Sequence, residues 1–233
     1  DLRQFRPSDR AEARRELGLL DMGPIVLSPR AVEPLYNIQL IVEALAEVAK
    51  RRPEAQLVII GRANPQYLAK VAEAVDRLGL RDRVRFVGEI PYAELPTWYR
   101  ASDIVVSVAR VEGFPNTVLE VMACGVPVLV GDIPQIRELL TDGVNARICA
   151  IGATAIASGL LTLLDDPAAA RAMRLRGRDT ALDAGDIDAN GRRFAVQVRS
   201  AAAGAPPGSL ALLRFRALLL LYVVLKRGFP NVC

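Results

Sequence analysis

Residues 104–130 read Ile104-Val-Val-Ser-Val-Ala-Arg-Val-Glu112-Gly-Phe-Pro-Asn-Thr-Val-Leu-Glu120-Val-Met-Ala-Cys-Gly-Val-Pro127-Val-Leu-Val130. Two short runs rich in Val and Ile, Ile104 to Val106 and Val126 to Val130, read as strands, and Pro115 to Cys124 between them has the character of a helix. Gly113 allows a tight turn, Pro115 is preset for the first helical position, and the amides of Asn116 and Thr117 would point out of the helix's N-terminus. The layout is strand, loop, helix, strand.

Outward from this unit the pattern repeats. Ile25 to Leu27, Leu57 to Ile60 and Val84 to Val87 are further strand-like runs, separated by helical periodicities at Ile38 to Lys50, Pro65 to Leu78 and Glu94 to Ala101. Runs that are apolar on both faces suit a parallel sheet covered by helices on both sides. The expected fold is therefore α/β, a doubly wound parallel sheet of Rossmann-like type, with ligands at the edge where the strands' C-terminal ends gather. After the fifth strand come Pro134 to Leu140, a turn at Asp142-Gly143, a short strand at Ala146 to Ala150, and helices at Thr154 to Leu164, Pro167 to Arg178 and Ile187 to Ala202. The domain reading is a lead-in over 1–24, including a helix, a ligand-binding domain over 25–203, and a low-complexity linker with an apolar tail over 204–233.

Composition narrows the chemistry. The 233 residues are 52% hydrophobic, enough for a sizeable core, and the net charge of +4 is too mild and too scattered to suggest nucleic-acid binding. There is no histidine, so imidazole chemistry is excluded from this chain. Three cysteines without Cys-x-x-Cys spacing suit a reducing, cytoplasmic setting. Asp1 to Arg15 has no apolar segment, so neither signal peptide nor anchor is expected there. Leu210 to Leu225 is apolar but broken by Arg214 and Arg216, and is short for a bilayer span; it suits either packing on another domain or a peripheral contact at the membrane's inner face.

The chemistry centres on the loop and helix around Gly113. Uncapped amides and the positive end of the helix dipole favour an anion by about 0.5–2 kcal/mol, so a diphosphate can rest there without a basic side chain. Glu112 and Glu120 repel phosphate but accept paired hydrogen bonds from vicinal hydroxyls, and can flank one extended ligand with sugar at each end. Arg30, following the strand at Ile25, can fork onto phosphate oxygens, with a structural salt bridge as the alternative.

The run Glu112 to Glu120, with Ala-Cys-Gly-Val-Pro-Val after it, resembles the E-x7-E signature of the retaining GT-B glycosyltransferases of family 4. Leu2-Arg-Gln-Phe-Arg-Pro7, Ser28-Pro-Arg30, Leu57-Val-Ile-Ile-Gly61, Val84-Arg-Phe-Val-Gly88 and Ala101-Ser-Asp103 fit the same family in order. The resemblance implies the donor-binding, C-terminal half of a GT-B fold, acting on a nucleoside-diphosphate sugar, with the acceptor half elsewhere and this half alone inactive. It further implies that Glu112 contacts the transferred sugar, Glu120 the ribose and Arg30 the diphosphate, with Phe114 and Asn116 lining the pocket. Gly61 and Gly88, on the binding edge, would let the base approach the backbone. Catalysis would rest on Glu112 and Arg30, with no metal and no cofactor; the Asp186-Ile-Asp188 pair reads as a solvated helix cap.

One departure stands out. Six residues after Arg30, where many family members have Lys followed by Gly, this chain has Tyr36-Asn37. Tyr36 or Asn37 could substitute for the missing cation, or Arg62 could compensate. Rival readings are a non-catalytic nucleotide-binding module and a GT-B epimerase; a dehydrogenase is disfavoured because no Gly-x-Gly-x-x-Gly follows the first strand.

Overall fold

The structure is a computed structural model that describes residues 1–113 and 115–203. Phe114 and the 204–233 tail, on which two of the sequence expectations fall, lie outside the described residues. The chain divides into two compact units, Asp1–Gly185 and Asp186–Cys233.

The first unit is a six-stranded, all-parallel sheet: β1 (Ile25–Ser28), β2 (Gln56–Ile60), β3 (Val84–Gly88), β4 (Ile104–Ser107), β5 (Val128–Gly131) and β6 (Arg147–Cys149). Its spatial order is β3-β2-β1-β4-β5-β6. Strand order reverses between β1 and β4, the position at which doubly wound sheets open a crevice at the strands' C-terminal ends. The helices are α1 (Arg10–Glu16), α2 (Ile38–Ala49), α3 (Pro65–Arg77), α4 (Leu95–Ala101), α5 (Asn116–Ala123), α6 (Pro134–Arg137), α7 (Ala153–Asp165) and α8 (Pro167–Ala184).

Alternation along the strands splits the core into two layers. Ile25, Leu27, Val105, Val128 and Val130 face α1, α4 and α5. Val26, Leu57, Ile59, Ile104 and Val106 face α2, α3 and α7. β1, β4 and β5 are buried at every residue, as a sheet covered on both faces requires. β3 differs from the expectation of a strand apolar on both faces: Arg85, Phe86 and Gly88 are exposed because it is the sheet's edge.

Local chemistry sets the helix ends. The side chains of Asp9, Asn64 and Asp166 cap α1, α3 and α8 by accepting backbone N–H bonds. α6 is a single turn ending at Arg137, and α8 runs past its expected end at Arg178 to Ala184. In the second unit, α9 (Ile187–Ala203) starts where Asp186 accepts from the N–H groups of Asp188 and Ala189. Those backbone bonds, first that of Ala189, hold its carboxyl below the ordinary range. Among the described residues, no helix is long and apolar enough to cross a membrane.

Candidate donor-binding site

Arg30 follows β1 and Glu112 follows β4, so the reversal of strand order brings together two residues 82 positions apart. The Arg30 guanidinium donates from Nη2 to Glu112 Oε1 in a salt bridge whose two side chains are each only 11% exposed. Its Nη1 donates to the Thr117 hydroxyl at 3.1 Å, tying the pair to the first turn of α5. Among the described residues its Nε is buried without a partner, as is Ser28 Oγ. Tyr36 lies with its ring 4.3 Å from the guanidinium carbon. A cation over an aromatic face is held by the ring's quadrupole, so Tyr36 steadies Arg30 through its ring.

The helix beside this pair begins one residue later than the sequence suggested. Pro115 is the N-cap of α5, not its first residue, and α5 carries no side-chain cap. Its first N–H groups thus keep the anion-attracting character of an open helix start. Asn116 is exposed there and Thr117 is half-buried beside Arg30. The chain bends at Gly113 as expected, but without a left-handed backbone and with open space where a Cβ would stand.

Glu120 sits on α5 one turn past its start and accepts hydrogen bonds from the hydroxyls of Tyr92 and Tyr99, the latter at 3.3 Å. Phe5 packs against both rings, at centroid distances of 5.5 and 6.1 Å. Burial raises the carboxyls of both Glu112 and Glu120 above their ordinary value of 4.5. Arg30 opposes the rise at Glu112; at Glu120 the Tyr92 and Tyr99 hydroxyls oppose it, with a smaller contribution from Arg30. The one arginine therefore acts electrostatically on both acids.

Other expectations sort themselves by geometry. Gly61 has φ 140°, and a Cβ there would come within 3.0 Å of Arg30 C and Ala31 N, so its missing side chain serves the close approach of the Arg30 loop. Gly88, at φ 88°, has open space around it. Arg62 is 73% exposed and pairs with Glu33 at 3.3 Å. Asn37 is buried in a left-handed conformation at φ 52°, and its amide donates to Val108 O at 2.7 Å, so its amide nitrogen is already engaged.

The cation that sequence reasoning missed is Arg110. Its backbone N–H donates to Leu35 O at 2.9 Å and its Nε to Asn37 Oδ1 at 3.1 Å, which binds the loop after β4 to the turn Pro34–Tyr36. No carboxylate among the described residues pairs with it. An exposed arginine in a loop gives little signal by itself; its position two residues before Glu112 was the available clue. Tyr92 and Tyr99 were likewise missed as partners of Glu120. Among the described residues no group of three His, Cys, Asp or Glu is placed to hold a metal.

The Glycosyl transferases group 1 family matches residues 9–180. The lipopolysaccharide core biosynthesis mannosyltransferase LpsB of Rhizobium meliloti is 34% identical over 214 residues, covering 90% of this chain and 59% of that protein. A D-inositol 3-phosphate glycosyltransferase of Frankia alni is 35% identical over 160 residues, 64% of this chain and 39% of that protein. This chain thus spans less than two-thirds of the length of either. Among solved structures, the C-terminal domain of the group 1 family protein LpcC from Francisella tularensis superposes with TM-score 0.74 at 25% identity, covering 80% of this chain and 98% of that one. Anabaena HepE in complex with UDP gives TM-score 0.79 at 23% identity, over 86% of this chain and 55% of that one, and so shares the fold. With a parallel sheet of GT-B C-terminal type and a match over most of its length, the chain belongs to the Glycosyl transferases group 1 family.

Proposed function

We propose that this chain is the donor-binding half of a retaining glycosyltransferase, which binds a nucleoside-diphosphate sugar and supports transfer of the sugar to an acceptor hydroxyl. The observation that carries this reading is the meeting of Arg30, Glu112 and Thr117 at the open start of α5, with Glu120 on the same helix. In support, one structural neighbour carries UDP and a curated relative is a mannosyltransferase.

The unliganded pair is poised for exchange. A diphosphate arriving at α5 takes the Arg30 guanidinium, and Glu112, released from it, accepts hydrogen bonds from hydroxyls of the transferred sugar. Glu120 receives the ribose. Arg110 supplies the second cation that Tyr36-Asn37 lacks, since a diphosphate carries about two negative charges and two cations meet it better than one. In transfer, the bond from the anomeric carbon to the diphosphate oxygen breaks as the acceptor oxygen bonds to the same face, and the acceptor's proton passes to the departing diphosphate. Arg30, Arg110 and the α5 amides stabilise the charge that develops on that leaving group, the kind of preorganised electrostatics that dominates many enzymatic rates. No metal or cofactor enters this scheme. A cytoplasmic setting suits Cys124 and Cys149, which are free and buried.

Calorimetry with UDP, GDP and ADP sugars tests the proposal. One of them should bind to the chain, and no sugar transfer should occur without an acceptor-binding partner domain. Absence of heat with every one would overturn it.

A further inference from the structure

At the sheet's opposite edge, where the N-terminal ends of β1, β4 and β5 lie, a groove of about 710 Å³ runs between α8 and the ends of α4 and α5. It is lined by five arginines and two aspartates. Both aspartates already have partners. Asp9 Oδ1 caps α1 by accepting from the Glu12 N–H. Asp103 accepts from Arg10, from Arg14 at 2.6 Å and from the Ile25 N–H at 2.7 Å. Four arginines remain: Arg100 on the last turn of α4, and Arg171, Arg174 and Arg178 on α8. None of the four pairs with a carboxylate among the described residues.

The three on α8 stand at i, i+3 and i+7, one stripe of a helix, spaced roughly 5 Å per turn. Among the described residues the Nε atoms of Arg100 and Arg178 are buried without partners, and Arg100 Nη2 donates to the Thr97 hydroxyl at 3.2 Å, so neither guanidinium is held by an ion pair there. Like charges gathered around one concavity repel each other and focus a positive potential into it. The rest of the wall, including Pro24, Val126, Pro127, Leu163 and Leu164, offers an anion no competing carboxylate.

We propose that this groove binds a phosphate-bearing anion, at a site separate from the donor crevice. A tetrahedral phosphate can be met by guanidinium forks from two walls at once, and the α8 stripe suits a second phosphate one turn along. The phosphate can come from a soluble polyphosphate or from a lipid headgroup at a membrane surface; the chemistry of recognition is the same.

The test uses the full chain and two probes. Inorganic tripolyphosphate is titrated by calorimetry, and phosphatidylcholine vesicles with and without phosphatidylglycerol are used in co-sedimentation. The variant Arg171→Gln/Arg174→Gln alters exposed positions, and its melting curve checks folding. Lys70→Gln/Arg77→Gln removes the same charge from α3. Losing two charge-assisted contacts should weaken binding at least about tenfold in the first variant, with little change in the second and none in nucleotide affinity. Tripolyphosphate binding lost in this way assigns a soluble phosphate; phosphatidylglycerol-dependent sedimentation lost in this way assigns a headgroup. The proposal is overturned if neither probe binds, if both variants lose binding equally, or if polyglutamate binds more tightly than tripolyphosphate.

Discussion

Arg30 and Glu112 form an ion pair across the reversal of strand order, one anchored after β1 and the other after β4, with the Thr117 hydroxyl as a third member. In the proposed exchange, Glu112 competes with the diphosphate for Arg30 and then serves the sugar. Glu112→Gln should therefore leave nucleoside-diphosphate affinity equal or higher, yet weaken nucleotide-sugar affinity by about tenfold. Competition calorimetry with the diphosphate and its sugar conjugate reads the two effects separately; a parallel loss for both ligands would contradict the exchange.

Arg110 should act on the diphosphate and not on the nucleoside. Arg110→Ala is expected to weaken nucleoside-diphosphate binding by about tenfold, roughly one charge-assisted contact, and to leave nucleoside binding unchanged. Asn37→Gly keeps the left-handed backbone but removes the bonds to Val108 and Arg110, so it should show a smaller version of the same loss together with lower stability.

Glu120 links the site to the core. Glu120→Ala leaves the buried Tyr99 hydroxyl without its acceptor and should cost about 1–3 kcal/mol of folding stability, measured by denaturant titration. Tyr99→Phe in that background should restore part of the loss. Preference for ribonucleotides over deoxyribonucleotides should fall in Glu120→Ala whether or not Phe is present.

Both acids have carboxyls raised by burial, which gives opposite signs for binding and stability. Gripping hydroxyls by acceptance alone needs the ionised form, so donor affinity should fall on acidification at a pH above 4.5. The folded protein holds these protons more tightly than the unfolded chain. Their contribution to stability is accordingly full below the unfolded carboxyl value and is lost as pH rises through the raised folded values. Melting curves from about pH 4 to about pH 7 should show a smaller slope of this kind in Glu112→Gln/Glu120→Gln than in the parent.

Much of this was legible in the sequence, for identifiable reasons. Strands β1, β4 and β5 are buried on both faces, and such strands announce themselves as unbroken Val and Ile runs. Glu112 and Glu120 stood out because a buried strand, Gly and Pro surround them within a short span. What could not be read was contact between distant segments. The Arg30–Glu112 pair depends on β1 lying beside β4, which local periodicity does not encode. The tyrosines that hold Glu120 arrive from 28 and 21 residues upstream. The exposure of β3 follows from its place at the edge of the sheet, whereas its Val-Arg-Phe-Val run carries no mark of that place.

Gly61 and Gly88 both carry a positive φ and differ in crowding. Alanine at Gly61 meets the Arg30–Ala31 backbone at 3.0 Å, whereas at Gly88 it meets no atom within 4 Å. Gly61→Ala should cost about 1–3 kcal/mol and shift Arg30 enough to weaken the donor, while Gly88→Ala should cost only about 1–2 kcal/mol of backbone strain. Paired melting and binding measurements distinguish the two.

The most direct measurement is a crystal structure of the chain with a bound nucleoside-diphosphate sugar. Phosphate oxygens should lie within about 2.7–3.2 Å of Arg30 and the first amides of α5, with Glu120 on the ribose and Glu112 turned to the sugar. A diphosphate bound elsewhere, with the Arg30–Glu112 pair still closed and the α5 start empty, would contradict it.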